Sequence, residues 1–202
     1  MSDNDTKPSA EDVLSIYMAK SRLLDNLSSE GISNEIYFFT EVTPDTAVQL
    51  IHKIKVLSSI LEEDDPIVIF INTPGGSATA MLSIIDAFGR CPNPIITIAT
   101  GLCASAGVFM LAAGDVRLAT KNAIIFYHEP INESLNRSPL EFESSHNHYK
   151  ALRDNVIYNI FKPACTKLKN KRAFDKIFMN NTSLYINPQE AMEEYGLIKG
   201  IL

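Results

Sequence analysis

The stretch "PIVIFINTPGGSATAMLSIIDAF", residues 66–88, decides the fold. It opens with an apolar, β-branched run at 66–72, which predicts a buried strand. Pro74, Gly75 and Gly76 then break the run. The apolar residues that follow at helical spacing are Met81, Ile84, Ile85 and Phe88. A strand, a tight turn and an amphipathic helix in this order are typical of a βαβ unit.

The same alternation continues on both sides of this stretch. We expect further strands at 35–40, 94–100, 115–120 and 122–128. We expect helices at about 11–27, 43–61, 105–113, 139–169, 172–179 and 188–195. Thr43 and Pro44 form an N-cap followed by a first-turn proline, and Pro163 should kink or break the long helix. Strands that alternate with helices predict an α/β fold with a parallel sheet covered on both faces.

Length and charge limit the class of protein. The chain has 202 residues, 46% of them hydrophobic, which suits one globular domain at 11–202. Residues 1–10 are polar and predict a disordered N-terminal tail. The net charge is −6, and the densest basic run, Lys167–Arg172, is more typical of a solvated helix end than of a binding patch. We therefore expect no nucleic-acid partner.

The composition also argues against membrane, metal and cofactor binding. No apolar run approaches the roughly 20 residues of a membrane span, and the first residues do not resemble a secretory leader. The three cysteines form no C-x-x-C pair, which favours a reducing, cytoplasmic compartment. His146 and His148 lie two apart on a predicted helix and so face different directions. We expect no metal site and no cofactor.

Ser105 lies in "GLCASAGVF", residues 101–109, among small and apolar side chains. Such a serine is either a polar filler of a buried helix or a nucleophile that a substrate backbone can approach closely. The turns "NTPGGSA" and "TGLCASAG" each lead from a strand to a helix, where α/β folds place their chemistry. Two N–H groups at helix starts, those of Gly76 and Ala106, would then flank the hydroxyl as oxyanion donors.

A general base is needed beside such a serine. His128 stands out among the four histidines because it ends a predicted strand, at the edge where a parallel sheet exposes its site. His52 lies on an amphipathic helix and is expected on the surface.

Four segments in order resemble the proteolytic subunit of Clp proteases, the ClpP family. They are "INTPGGSATAMLSIIDAF", "GLCASAGVFMLAAGD", "IIFYHEP" and "EAMEEYGLI", and the resemblance runs from Ile36 to Leu202. It implies the ClpP/crotonase fold and a serine peptidase that acts on unfolded polypeptides. It further implies a homo-oligomer, a tetradecamer of two stacked heptameric rings, fed by an AAA+ unfoldase such as a ClpX- or ClpA-like protein.

The resemblance also assigns roles to residues of this chain. Ser105 becomes the nucleophile and His128 the general base, while Gly76 and Ala106 donate to the oxyanion. The order serine then histidine argues against an α/β-hydrolase, whose acid falls between the two.

The third catalytic position departs from the family pattern. The family has an aspartate shortly before the segment that reads "YINPQEAMEEYGL" here, and the aligned residue is Ser183. Asn181 and Asp175 are the alternatives for this role, and Ser183 or Asn181 is favoured because "YINPQEA" fixes the alignment. The family's neighbouring arginine is replaced by Thr182, and the usually glycine-rich segment after His128 has no glycine at 131–142.

These departures leave three functions open. The first is a serine endopeptidase, slow because its acid is missing, and the second is an inactive ClpP-like subunit of a ring. The third is a crotonase-type enzyme acting on acyl-CoA, which is weaker because crotonases do not need a serine and a histidine at these positions. The apolar stripe of the helix at 142–168 predicts an inter-ring handle and hence a heptamer or a tetradecamer.

Overall fold

The computed structural model describes Glu11, Ser15 and residues 33–128, 150–179 and 183–202. Glu11 and Ser15 are helical, as expected for a helix that begins near residue 11. The predicted tail, the rest of that helix and the first part of the long helix lie outside the described residues. Within the described ranges, no helix is both long enough and apolar enough to cross a membrane.

Seven strands and six helices are present in the described ranges from residue 33 onward. The strands are β1 Glu35–Phe38, β2 Ile67–Thr73, β3 Ile95–Ala104, β4 Val116–Ala119, β5 Ile124–His128, β6 Ser183–Ile186 and β7 Gly200–Ile201. The helices are α1 Pro44–Ser58, α2 Ala78–Arg90, α3 Ala106–Ala112, α4 at 150–164, α5 Lys171–Phe178 and α6 Pro188–Glu193. All five predicted strands are present. The strands β6 and β7 were not predicted.

The sheet is parallel except for β6, and its main path runs β1-β2-β3-β4-β7. β5 pairs with the last part of β3, and β6 pairs antiparallel with β5. The chain therefore belongs to the α/β class, as its strand–helix alternation predicts.

Side chains on both faces of the sheet are buried. One face packs on the main core, which includes Ile67, Ile69 and Ile71 of β2. The residues of the second cluster, on the other face, are Val68, Ile96, Ile98, Val116 and Leu118. Both sets alternate along their strands because successive side chains point to opposite faces. The continuous apolar runs of β2 and β3 are explained by this burial on two sides.

β3 changes its partner at a bend near Gly101. On one edge, its residues Ile96–Ala99 pair with β4, and Leu102–Ala104 then pair with β5. The prediction that this strand ends at residue 100 is therefore wrong. Gly101 has a φ of 57°, a conformation that favours glycine. A glycine after a strand is typical of a turn, but here it forms a bend within one strand.

The long helix ends earlier than the pattern predicts. α4 is α-helical at 150–155, forms a π-helical turn over Val156–Phe161 and stops at Ala164, not near residue 169. Pro163 lacks the N–H that an α-helix needs at this point, and a wider turn precedes it. Cys165, with ψ at 70°, leaves the helical conformation.

Candidate active site

Four predicted residues line one pocket of about 560 Å³: Gly76, Ser105, Ala106 and His128. Gly76 follows β2, Ser105 and Ala106 follow β3, and His128 ends β5. These are the carboxyl ends of parallel strands, where an α/β sheet exposes its site. The structure thus brings together residues that lie more than 50 positions apart in the chain.

Ser105 links β3 to α3 through an unusual backbone conformation. Its φ is 54° and its ψ is −119°, and no other non-glycine residue of the described chain has a positive φ. Such a conformation costs an L-residue about 1–3 kcal/mol and is most often found at functional sites. The Ser105 N–H donates to the Phe126 carbonyl of β5 at 2.9 Å, which helps to hold the strained residue in place.

Val42 orients the turn that carries Gly76. The Val42 N–H donates to the Gly75 carbonyl, and the Ser77 N–H donates to the Val42 carbonyl, both at 2.7 Å. In such a parallel bridge the N–H of the residue between the two bonded groups points to the opposite side. The Gly76 N–H therefore faces away from Val42.

The two glycines of this turn are required by close contacts. A Cβ on Gly76, whose φ is 140°, would lie 2.2 Å from the Val42 carbonyl oxygen. A Cβ on Gly75 would lie 2.5 Å from Ser105 Cβ and 3.0 Å from Ser105 Oγ. The turn can approach the serine this closely only because both residues lack side chains.

Ala106 supplies a second N–H beside the hydroxyl. It is the first residue of α3, so the helix offers its N–H no carbonyl partner. All seven residues of α3 are buried, which fixes this end of the helix against the sheet. Gly76 and Ala106 thus line the same pocket as Ser105, and acyl transfer uses backbone donors placed beside a nucleophile in this way.

β6 places Ser183 opposite His128. The two residues are partners in the antiparallel register of β5 and β6, which also pairs Phe126 with Tyr185. The centroids of the Phe126 and Tyr185 rings are 4.4 Å apart, and those of the Phe126 and His128 rings are 5.8 Å apart. A residue at position 183 is therefore adjacent to the imidazole, but a serine offers it a hydroxyl without charge.

The two aspartates that follow His128 in the chain, Asp154 and Asp175, do not line this pocket. Asp175, on α5, accepts a hydrogen bond from the Tyr158 hydroxyl at 3.0 Å and lines an open depression with Lys171, Arg172 and Lys176. Asp154 is bound to Arg153 at 3.0 Å. Asn181 and Thr182 lie outside the described residues. Within the described chain, no group of three or more His, Cys, Asp or Glu side chains is arranged to hold a metal ion.

Cys103 is not a competing nucleophile, although it lies two residues before Ser105. Its side chain is completely buried, and this burial raises the pKa of the thiol well above its ordinary value. The reactive form of cysteine is the thiolate, so Cys103 is chemically inert. Cys91 and Cys165 are also buried and unpaired.

Sequence reasoning missed several residues of this pocket. Met81, Phe109 and Val156 give it apolar walls, and Glu41 and Arg153 give it charged ones. Val42 had no distinguishing signal, because its contribution is made by backbone atoms. Ser183 was predicted from the resemblance, whereas β6, the strand that carries it, is too short to be recognised from its own pattern.

The sequence is similar to those of known proteins over most of its length. The family model described as Clp protease matches residues 19–202. "ATP-dependent Clp protease proteolytic subunit 3" of Parasynechococcus marenigrum (strain WH8102) is 28% identical over 183 residues, 90% of this chain and 88% of that protein. Subunit 2 of Prochlorococcus marinus (strain MIT 9312) is 30% identical over 185 residues, 90% of this chain and 87% of that protein. The chloroplastic subunit 3 of Arabidopsis thaliana is 28% identical over 170 residues, 83% of this chain and 52% of that protein.

A carboxylate at position 183 should increase the rate of peptide hydrolysis. In a serine–histidine pair the acid orients the imidazole and stabilises its charged form, and its loss costs about 10⁴-fold in kcat in another serine protease. We expect Ser183→Asp to raise kcat on a fluorogenic peptide by up to about that factor. The measurement is a comparison of steady-state kinetics for the wild type and the variant.

Two variants serve as controls for this experiment. Ser83→Asp adds the same charge at an exposed position of α2, and Asp175→Asn removes the acid held by Tyr158. Neither change should alter kcat. No gain in Ser183→Asp, together with loss of activity in Asp175→Asn, would show that Asp175 is the third catalytic residue instead.

Proposed function

Because the chain belongs to the Clp protease family, we propose that it is the serine endopeptidase subunit of a self-compartmentalised ring protease. Its substrates are unfolded polypeptides delivered by an AAA+ unfoldase. The observation that carries the proposal is the convergence of Ser105, His128, Gly76 and Ala106 on one pocket. A nucleophile, a base and two oxyanion donors are the parts that acyl transfer requires.

In the proposed reaction, Ser105 Oγ attacks the carbonyl carbon of the scissile peptide bond while His128 accepts the hydroxyl proton. The carbonyl oxygen becomes negatively charged and is stabilised by the N–H groups of Gly76 and Ala106. The C–N bond then breaks, and His128 returns the proton to the leaving amine. Water, deprotonated by His128, hydrolyses the acyl-enzyme and regenerates the Ser105 hydroxyl.

Ser183 makes this reaction slow. It is the register partner of His128 and can accept a hydrogen bond from the imidazole, which favours the productive tautomer. It supplies no negative charge to stabilise the imidazolium that forms in the transition state. We therefore propose a weak peptidase on short peptides, one that needs its unfoldase to act on folded proteins.

The uncharged residue at position 183 also favours a second candidate function. In this alternative the chain is an inactive ClpP-like subunit that builds or regulates a ring without cutting peptides. The conformation of Ser105 argues against this alternative, because a φ of 54° destabilises the fold and such residues are concentrated at functional sites. The two candidates differ in whether Ser105 reacts with an electrophile.

The proposed assembly is a homo-oligomer of heptameric rings, most simply a tetradecamer, in the cytoplasm. The names of the relatives describe subunits of ATP-dependent proteases, which supports a ring that works with a ClpX- or ClpA-like ATPase. Large apolar side chains exposed along α1, at Val48 and Val56, with Ile60 just beyond its end, are available for contact with a neighbouring copy. The buried, unpaired cysteines are compatible with a reducing compartment.

A fluorophosphonate probe should label the protein at Ser105. Ser105→Ala should abolish labelling, and His128→Ala should slow it by about 10²-fold or more, because the hydroxyl then lacks its base. Ser83→Ala is the matched control, since it removes an exposed serine hydroxyl of α2. Mass spectrometry of the labelled peptide identifies the site. Labelling that persists in Ser105→Ala, or a wild type that is never labelled, would contradict the proposed peptidase.

Static light scattering should detect an assembly of seven or fourteen copies of the 22.4 kDa chain at micromolar concentration. We expect this assembly because a monomer would leave Val48, Val56 and Ile60 exposed to water. A monomer at this concentration would contradict the ring and the enclosed chamber. It would leave the chemistry of Ser105 untouched.

A further inference from the structure

We infer that Asn72, the next-to-last residue of β2, is a positioning residue for the reaction. Its side-chain oxygen fixes the register between the ends of β2 and β3, which carry the two halves of the candidate active site. The inference rests on the proposed peptidase function, since Asn72 acts on the rate only through Gly76 and Ser105.

The register of β2 and β3 is irregular at Asn72. The strands pair residue by residue from Ile67 with Ile95 to Ile71 with Ala99, and the next pair is Thr73 with Cys103. Between these pairs β2 contributes only Asn72, whereas β3 contributes three residues, 100–102. Two residues of β3 therefore bulge out of the ladder. A bulge of this kind leaves backbone groups that need partners other than the neighbouring strand.

The amide of Asn72 supplies such a partner. The Leu102 N–H donates to Asn72 Oδ1 at 3.1 Å. A Cβ on Gly101 would lie 3.0 Å from Asn72 Cγ, Oδ1 and Nδ2, so the amide group packs directly against this glycine. Gly101 needs its positive φ of 57° to form the bend, and it needs to lack a side chain to admit the amide.

The pair that follows the bulge determines how the two halves of the site meet. Thr73 and Cys103 each lie two residues before a residue of the candidate site's turns: Gly75 follows β2, and Ser105 follows β3. Thr73 Oγ1 also accepts the Gly75 N–H at 3.1 Å, which ties the turn to the strand. A slip at this pair would move the oxyanion donor relative to Ser105.

The tolerance for such a slip is small. Gly75 and Ser105 are already in contact, since a Cβ on the glycine would overlap the serine Cβ. Displacement of a catalytic group by about 1 Å costs on the order of 100-fold in rate. A substrate held mainly by the apolar walls would still bind, so the loss should fall on kcat and not on KM.

The experiment compares Asn72→Ala with Asn72→Asp and measures two quantities. The first is kcat and KM on a fluorogenic peptide, with each preparation titrated by a fluorophosphonate. The second is hydrogen–deuterium exchange of the peptide that spans residues 100–105. We expect Asn72→Ala to lower kcat by about 10- to 100-fold with KM nearly unchanged, and to raise exchange at 100–105. Asn72→Asp keeps the acceptor oxygen, so it should retain protection and recover most of kcat.

Asn93→Ala is the matched control. The Asn93 amide, like that of Asn72, bonds to backbone, here to the Glu62 and Asp65 carbonyls, but it precedes β3, at the end of that strand opposite to Ser105. This variant should lower the unfolding midpoint and leave kcat per titrated site unchanged. The inference is overturned if Asn72→Ala behaves in the same way, with normal kcat and normal exchange at 100–105. It is equally overturned if Asn72→Asp restores protection and stays as slow as Asn72→Ala.

Failure of the proposed function is distinguishable from failure of this inference. A wild type that neither reacts with the probe nor cleaves the peptide refutes the peptidase. Exchange at 100–105 then decides the structural part by itself. Unchanged exchange in Asn72→Ala refutes the register role of Asn72, and increased exchange supports it.

Discussion

Ser105 has a backbone conformation that an L-residue adopts only under constraint, with φ at 54° and ψ at −119°. Three neighbours provide that constraint. The Phe126 carbonyl accepts the Ser105 N–H, α3 is buried directly after the serine, and Gly75 is packed against its Cβ. The hydroxyl is held at the carboxyl end of the sheet because relaxation of the serine would break these contacts. The other parts of the site are arranged around this residue.

Backbone hydrogen bonds position the turn that carries Gly76. Val42 bonds to both residues that flank Gly76, and this leaves the Gly76 N–H directed away from Val42. Val42 itself lies next to Thr43, whose side chain caps α1 and forms a capping box with Thr46. Hydrogen bonds thus connect the start of α1, the bridge at Val42 and the turn whose Gly75 contacts Ser105. His128, which lines the same pocket, lies on β5 and pairs with Ser183 of β6.

Local pattern predicts the parts of this fold that local interactions determine. The β-branched runs of β2 and β3 and the cap at Thr43 are evident from residue type and spacing. The convergence of Ser105 and His128 was also expected, because parallel strands expose their carboxyl ends at one edge. The extension of β3 past Gly101 and the existence of β6 depend on pairing with β5, a tertiary contact that a short segment does not reveal. The early end of α4 reflects Pro163, whose breaking effect was expected, although the helix was predicted to continue to about residue 169.

The central claim is that Ser105, Gly76 and Ala106 form one preorganised acyl-transfer site. A crystal structure of the protein after reaction with a peptide boronate tests it most directly. The account predicts a tetrahedral boron bonded to Ser105 Oγ, with one boronate oxygen about 2.7–3.1 Å from the N atoms of Gly76 and Ala106. A boronate bonded to another residue, or bonded to Ser105 with its oxygens directed away from both N–H groups, would contradict the claim.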